Sequence, residues 1–208
     1  MVPEVGVFIV LEGADGGGKS TQVARLAERM RSSGRDVVAT FEPGATPVGA
    51  AVRNVLLERD APVVPVAEAL LMAADRAQHI AEIVRPALAR GADVVSDRYV
   101  ASSLAYQGGG RGLSLELVDA VNRWATGGLT PDLVIVIDIS ESVAQARAGA
   151  APDRFERESA EFHARVRETY RGLAAEREWA VIDGDADVDT VAARVSAVVS
   201  ERLGIDTS

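Results

Sequence analysis

The run Gly13-Ala14-Asp15-Gly16-Gly17-Gly18-Lys19-Ser20 carries the spacing G-x-x-x-x-G-K-[ST] and stands directly behind the apolar stretch Val7-Phe8-Ile9-Val10-Leu11. A buried strand that turns sharply into a helix leaves backbone N–H groups unpaired and aimed into one concavity, where a polyphosphate can accept from them. Gly13, Gly16 and Gly18 suit such a loop, because positive φ and close approach of a phosphate both exclude a Cβ. In this pattern Lys19 reaches the β and γ phosphates and the Ser20 hydroxyl meets Mg²⁺, while Ala14, Asp15, Gly17 and Thr21 complete the surround. A nucleoside triphosphate is the expected ligand.

The rest of the chain reads as the sheet such a loop requires. Short β-branched runs near 7–12, 36–41, 92–96, 133–138 and 179–183 are apolar almost throughout, as parallel strands covered on both faces are. Helical patterns fall near 18–33, 47–58, 66–90, 98–108, 114–126, 158–177 and 187–203. The expected fold is α/β: one domain over residues 1–208, a five-stranded parallel sheet flanked by helices on both faces. In the last helix Val188, Val191, Ala192, Val195, Val198 and Val199 share a face, which is core spacing. Gly34 and Gly91 read as helix stops. Ala144 to Pro152, rich in Ala and Gly and without periodicity, reads as a mobile lid, with bounds of about 142–157.

Charge and cysteine content narrow the setting. The chain of 208 residues has a net charge of −9, against a nucleic-acid or anionic-membrane partner, and no cysteine for a disulfide or thiolate metal site. No stretch reaches the length of a membrane span and the N-terminus has no basic leader, so the expected compartment is the cytoplasm. Anionic substrates must be met by local arginines.

Three polar clusters point to a second anionic substrate. Asp97-Arg98-Tyr99 follows a strand, where ligands of open parallel sheets collect. Asp97 can hold Mg²⁺ through water, and Arg98 can meet a transferring phosphoryl group. Asp138, at the end of Leu133 to Ile137, competes for the carboxylate role, and spacing does not choose between them. Asp75-Arg76 lies in a helix otherwise apolar or small, where an arginine either snorkels or binds an anion. Arg147, Arg154 and Arg157 lie in and after the lid segment, with Asp153 and Glu156. His79 and His163 have no companion at metal-ligand spacing and read as structural or exposed, and Trp124 and Trp179 as packing residues.

Taken in order, these pieces resemble the bacterial thymidylate kinases over nearly the whole chain. The resemblance rests on Leu11 to Gln22, Glu42-Pro43-Gly44 with Thr46-Pro47, and Asp75 to His79. It continues in Asp97-Arg98-Tyr99-Val100-Ala101-Ser102-Ser103-Leu104-Ala105-Tyr106-Gln107-Gly108, Ala125 to Leu129, and Asp153-Arg154-Phe155-Glu156. It implies transfer of the γ-phosphate of ATP to dTMP, with Mg²⁺, in a homodimer. It also implies that Arg76 and Arg98 hold the acceptor phosphate and thymine edge, that Arg53 clamps that phosphate, and that Ser103 and Gln107 read the base. By the same resemblance Tyr106 packs on the deoxyribose, Asp15 meets the 3′-hydroxyl, Glu42-Pro43 borders the pocket, and Asp97 is favoured over Asp138. Gly16 stands where one branch of the family has arginine, which assigns the catalytic arginine to the lid, as Arg147 or Arg154.

Phe41, Ala45, Ala50 and Met72 depart from residues the family often carries, and Met72 stands where a phenylalanine stacks on the base. A thioether packs less directionally than a ring, so a relative acting on a modified or different pyrimidine deoxynucleotide is the alternative substrate reading. A nucleotide-gated switch is the alternative outside kinases.

Overall fold

The computed structural model describes residues 6–57, 63–147 and 153–207. Five strands, β1 (Phe8–Glu12), β2 (Val37–Phe41), β3 (Asp93–Asp97), β4 (Leu133–Asp138) and β5 (Ala180–Asp183), form one sheet in the order β2-β3-β1-β4-β5. All neighbours are parallel. Alternation along β1 feeds two cores: Ile9 and Leu11 pack with Val23, Leu26, Val191 and Val195, whereas Phe8 and Val10 pack with Ile80, Val84 and Tyr99. The central strand is thus buried on both sides, which is why its sequence is apolar without interruption.

The helices are α1 (Lys19–Ser32), α2 (Pro47–Leu57), α3 (Pro65–His79), α4 (Arg85–Ala89), α5 (Val100–Ser103), α6 (Leu115–Thr126), α7 (Glu141–Arg147), α8 (Ala160–Glu176) and α9 (Val188–Leu203). Ser114, Ser159 and Asp187 cap α6, α8 and α9 with their side chains, and Gly34 and Gly91 adopt positive φ at the expected stops. The helix expected over 66–90 passes through a π-helical turn, Ile80–Val84, immediately before Pro86, where a missing N–H breaks the α register. The helix expected over 98–108 starts at Val100, because Arg98 is left-handed at φ 74° and Tyr99 is extended, and it runs on as a π helix, Leu104–Gly110.

Three expectations are corrected. Ala144–Arg147 are not irregular: they belong to α7, whose start is held by Ser140 through an Asp185 contact of 2.8 Å. Seven residues, most of them exposed, are too few for periodicity to show. Of the lid bounds, residues 148–152 lie outside the described residues. Trp124 is 86% exposed and packs into no core, because α6 turns that edge outward, while Trp179 is half-buried as expected. Val188, at the first position of α9, is exposed and stands beyond the core that Val191, Ala192, Val195 and Val199 share. Among the described residues no helix is long and apolar enough to cross a membrane.

Candidate active site

The carboxyl ends of β1, β2 and β3 open into a cleft of about 560 Å³. One end is the phosphate loop, with Asp15, Gly16, Gly18, Lys19, Ser20 and Thr21 on its wall; the other carries Arg76, Ser103, Tyr106 and Gln107. Glu42, Pro43, Arg53, Met72, Asp97 and Arg98 line the passage between them. Gly13 shows why the loop needs glycine: at φ 134°, a Cβ there would lie 2.3 Å from the Ile137 carbonyl oxygen. Gly16, at φ 80°, faces α7, and a Cβ would sit 3.3 Å from both Cα and O of Ala144.

Lys19 is nearly buried and its Nζ donates to the Ala14 carbonyl at 2.8 Å. Burial, reinforced by the charge of Arg98, pushes this amine down to about 8. Ser20 Oγ donates to Asp97 Oδ2, while Asp97 Oδ1 is buried without a hydrogen-bond partner among the described residues. Asp138 is instead held by Arg167 at 2.7 Å and Arg171 at 2.6 Å, so the carboxylate beside the loop hydroxyl is Asp97.

At the centre stand Asp15, Arg98 and Tyr106. Arg98 pairs with Asp15, donates to Ser102 Oγ at 3.0 Å, and stacks 5.1 Å from the Tyr106 ring centroid. Burial raises the Asp15 carboxyl, but Arg98, Lys19 and the Tyr106 hydroxyl outweigh it and hold it below the usual carboxylate range. Behind Arg98 lies Glu12, fully buried and, among the described residues, without an ion pair. It accepts from Tyr99 N at 2.8 Å, Ser102 Oγ at 2.7 Å and the Tyr170 hydroxyl at 2.9 Å, and its burial raises it. These bonds fix the left-handed backbone of Arg98, a conformation that persists only where its surroundings over-determine it.

In the far pocket Arg76 is only 2% exposed. Its Nε donates to Glu42 Oε2 at 2.7 Å, Nη1 to Ser103 Oγ at 2.9 Å and to Asn122, and Nη2 to the Tyr99 carbonyl at 2.8 Å. His79 bridges Glu42 and Thr40, each at 2.7 Å, the structural role expected of it. Arg53 donates to the Pro43 carbonyl at 2.8 Å. Met72 packs beside the cluster that holds Tyr106 and Phe155.

Arg147 and Arg154, the arginines expected in a lid, are not among the cleft-lining residues. Arg147 reaches from α7 to the carbonyls of Ala186 at 2.9 Å and Gly16 at 3.4 Å, directly over the loop. Arg154 is anchored elsewhere, to the Leu56 carbonyl at 2.8 Å and to Glu68 at 2.8 Å. Sequence reasoning passed over Glu12, Glu68, Asn122 and Tyr170. Two of these leave a trace: Glu12 ends an apolar strand, and Glu68 interrupts an apolar helix face.

The strand, phosphate loop, buried arginine and carboxylate-bearing third strand follow one another in this order along the chain, and comparison with known proteins identifies the family. The sequence profile of thymidylate kinase matches residues 11–195. The chain belongs to the thymidylate kinase family. The thymidylate kinase of Leifsonia xyli subsp. xyli is 50% identical over 202 residues, covering 95% of this chain and 96% of its own. That of Deinococcus radiodurans is 47% identical over 201 residues, covering 95% and 98%. That of Halothermothrix orenii is 47% identical over 185 residues, covering 86% and 89%. The fold expected of a thymidylate kinase, a parallel α/β sheet with a phosphate loop after β1, is the fold observed.

Proposed function

We propose that this chain transfers the γ-phosphate of ATP to dTMP, giving ADP and dTDP. The observation that carries the reading is that one cleft joins the phosphate loop to the Arg76–Ser103–Gln107 pocket, with Arg98 and Asp15 midway. ATP phosphates lie along the loop amides and Lys19; dTMP lies in the far pocket, its phosphate toward Arg98 and Arg53, its 3′-hydroxyl toward Asp15, its sugar on Tyr106 and its base toward Ser103, Gln107, Arg76 and Met72. Little covalent chemistry is asked of the protein: it aligns acceptor oxygen and γ-phosphorus and neutralises charge on the transferring group. Arg98 is suited to the second task because Asp15 and Tyr106 already hold its guanidinium in place.

Hard oxygen donors and an orphaned buried carboxylate oxygen fit Mg²⁺, with Ser20 and Asp97 as the residues that would hold it. When bound, the ion supplies positive charge to the β and γ phosphates. A transition-state cation from Arg147 or Arg154 requires movement of the side chain from its present partners. Assembly as a homodimer is supported by exposed apolar side chains on three helices that pack together, Val55 on α2, Val66 and Leu70 on α3, and Leu117 and Trp124 on α6. The cytoplasm is retained as the proposed compartment.

A coupled ADP-release assay over a panel of nucleoside monophosphates tests the reading. The expected result is the highest kcat/KM with dTMP. A modified or different pyrimidine deoxynucleotide outperforming it would replace the substrate, and ATP turnover insensitive to every monophosphate would overturn the kinase reading.

A further inference from the structure

We infer that Glu68 is a specificity-setting residue that acts from outside the cleft, by locking the Gln107 amide with its carbonyl toward the base. The inference rests on the acceptor-pocket reading given above.

Glu68 is an acidic side chain on α3 with no exposed surface, behind the pocket and not on its wall. A carboxylate only accepts, and donors meet both of its oxygens. Gln107 Nε2 donates to Oε1 at 2.9 Å, Arg111 Nε donates to the two oxygens at 3.2 and 3.1 Å, and Arg154 Nη1 lies 2.8 Å from Oε2. The guanidiniums are themselves braced on aromatic rings, Arg154 at 4.6 Å from the Phe155 centroid and Arg111 at 4.7 Å from that of Phe162. The carboxylate therefore has no freedom to rotate away.

The consequence falls on Gln107, which is buried on the π helix after α5 and lines the cleft. A primary amide can present either end to a ligand, and in an unconstrained glutamine the two orientations interchange. Here a half-turn about the last side-chain bond would set Gln107 Oε1 against Glu68 Oε1, acceptor against acceptor in a buried site. The nitrogen end is thus kept on the carboxylate and the carbonyl end is turned toward the base. A carbonyl accepts from the N3–H of an imide pyrimidine such as thymine or uracil, whereas cytosine offers a bare acceptor at N3. Glu68 thus turns an ambiguous reader into one that demands a donor, and discrimination of this type exceeds what shape alone gives.

The test compares wild type with Glu68→Gln, using dTMP, dUMP and dCMP as substrates. The variant side chain can itself present either end, so the Gln107 amide is released to turn. The ratio of kcat/KM for dTMP over dCMP is expected to contract by at least about tenfold, with dUMP following dTMP. A merely structural Glu68 would lower stability or kcat for all three alike, and an unchanged ratio overturns the inference. Should the variant not fold, nitrogen-edited NMR of the wild-type protein decides: slow exchange of the Gln107 side-chain amide protons without nucleotide supports the lock, and free-solution exchange overturns it. N3-methyl dTMP separates this from the underlying reading. If it is phosphorylated as well as dTMP, no residue reads N3–H and the acceptor-pocket assignment falls; if it is rejected while the Glu68→Gln ratio is unchanged, only the role of Glu68 falls.

Discussion

The hydroxyl of Tyr106 lies 2.7 Å from Asp15 Oδ2, so a side chain of the acceptor half of the cleft is bonded directly to the phosphate loop. Arg98 fills the angle between them, paired with Asp15 and stacked on the Tyr106 ring. The two proposed nucleotide sites thereby share one rigid joint, and a guanidinium held this way needs no reorganisation when charge develops beside it.

Arg98→Ala is therefore expected to lower both kcat and kcat/KM for dTMP by at least two powers of ten, about 2.7 kcal/mol of transition-state stabilisation. Arg76→Ala, which opens a buried network, should chiefly raise KM for the monophosphate. Steady-state kinetics on both variants checks this, and small, equal effects at the two positions would mean that both arginines serve the fold alone.

Lys19 predicts a pH dependence of nucleotide binding. Its amine is pushed down to about 8 in the free protein, and the phosphates of ATP favour its charged form. Below that pH the lysine is already charged and affinity is flat; above it a proton must be taken up, and affinity falls by up to about tenfold per pH unit. Calorimetry at about pH 9 in two buffers of different ionisation enthalpy should show proton uptake on ATP binding, and none at about pH 6.5. Absence of uptake at the higher pH would show that Lys19 stays charged without nucleotide.

Asp75 predicts a stability change with a definite sign. Burial and the neighbouring charge of Glu42 push its carboxyl from 3.8 up to about 6, while the Gly44 N–H donates to Oδ1 at 2.9 Å. A raised acid favours the folded state below its unfolded value and loses that contribution as pH rises through the folded one. Asp75→Asn keeps the acceptor and removes the charge, so it should stabilise the protein by on the order of 2 kcal/mol at about pH 8 and by nothing at about pH 2.5. Denaturant midpoints of the two proteins at each pH measure it, and a variant less stable at the higher pH would refute it.

The contact between Gly16 and α7 separates two roles of Arg147. Gly16→Ala places a side chain at φ 80° against Ala144 and should cost about 1–2 kcal/mol of stability while pushing α7 away from the loop. If Arg147 supplies a transition-state cation, Arg147→Ala should lower kcat by at least about tenfold with little change in ATP affinity. If it only ties α7 to the carbonyls of Gly16 and Ala186, the melting temperature will fall instead and kcat will hold.

Local patterns located the elements and missed the network between them. The strands were found within one residue because burial on both faces writes an uninterrupted apolar run, as in β1 and β4. Helical spacing puts Arg98 inside a helix, because nothing nearby in sequence shows that Glu12, at the end of another strand, takes the N–H groups of Tyr99 and Ser102. Helix α7 leaves no periodic trace because its stability comes from Asp185, Ser140 and contact with Gly16, all outside its own span.

The order of strand, loop and helix, the glycines, and the presence of Lys19, Ser20, Asp97 and Arg98 were determined by the sequence alone, since each depends on residue type and short-range geometry. Which carboxylate meets Ser20, which way Gln107 faces, and where Arg147 and Arg154 rest were decided only by the tertiary structure. Those outcomes depend on donors and acceptors brought together from as many as 131 positions apart, as Arg147 is with Gly16, and on burial that makes leaving any of them unpaired costly. Spacing along a chain carries no record of such pairings; only the packed fold creates them.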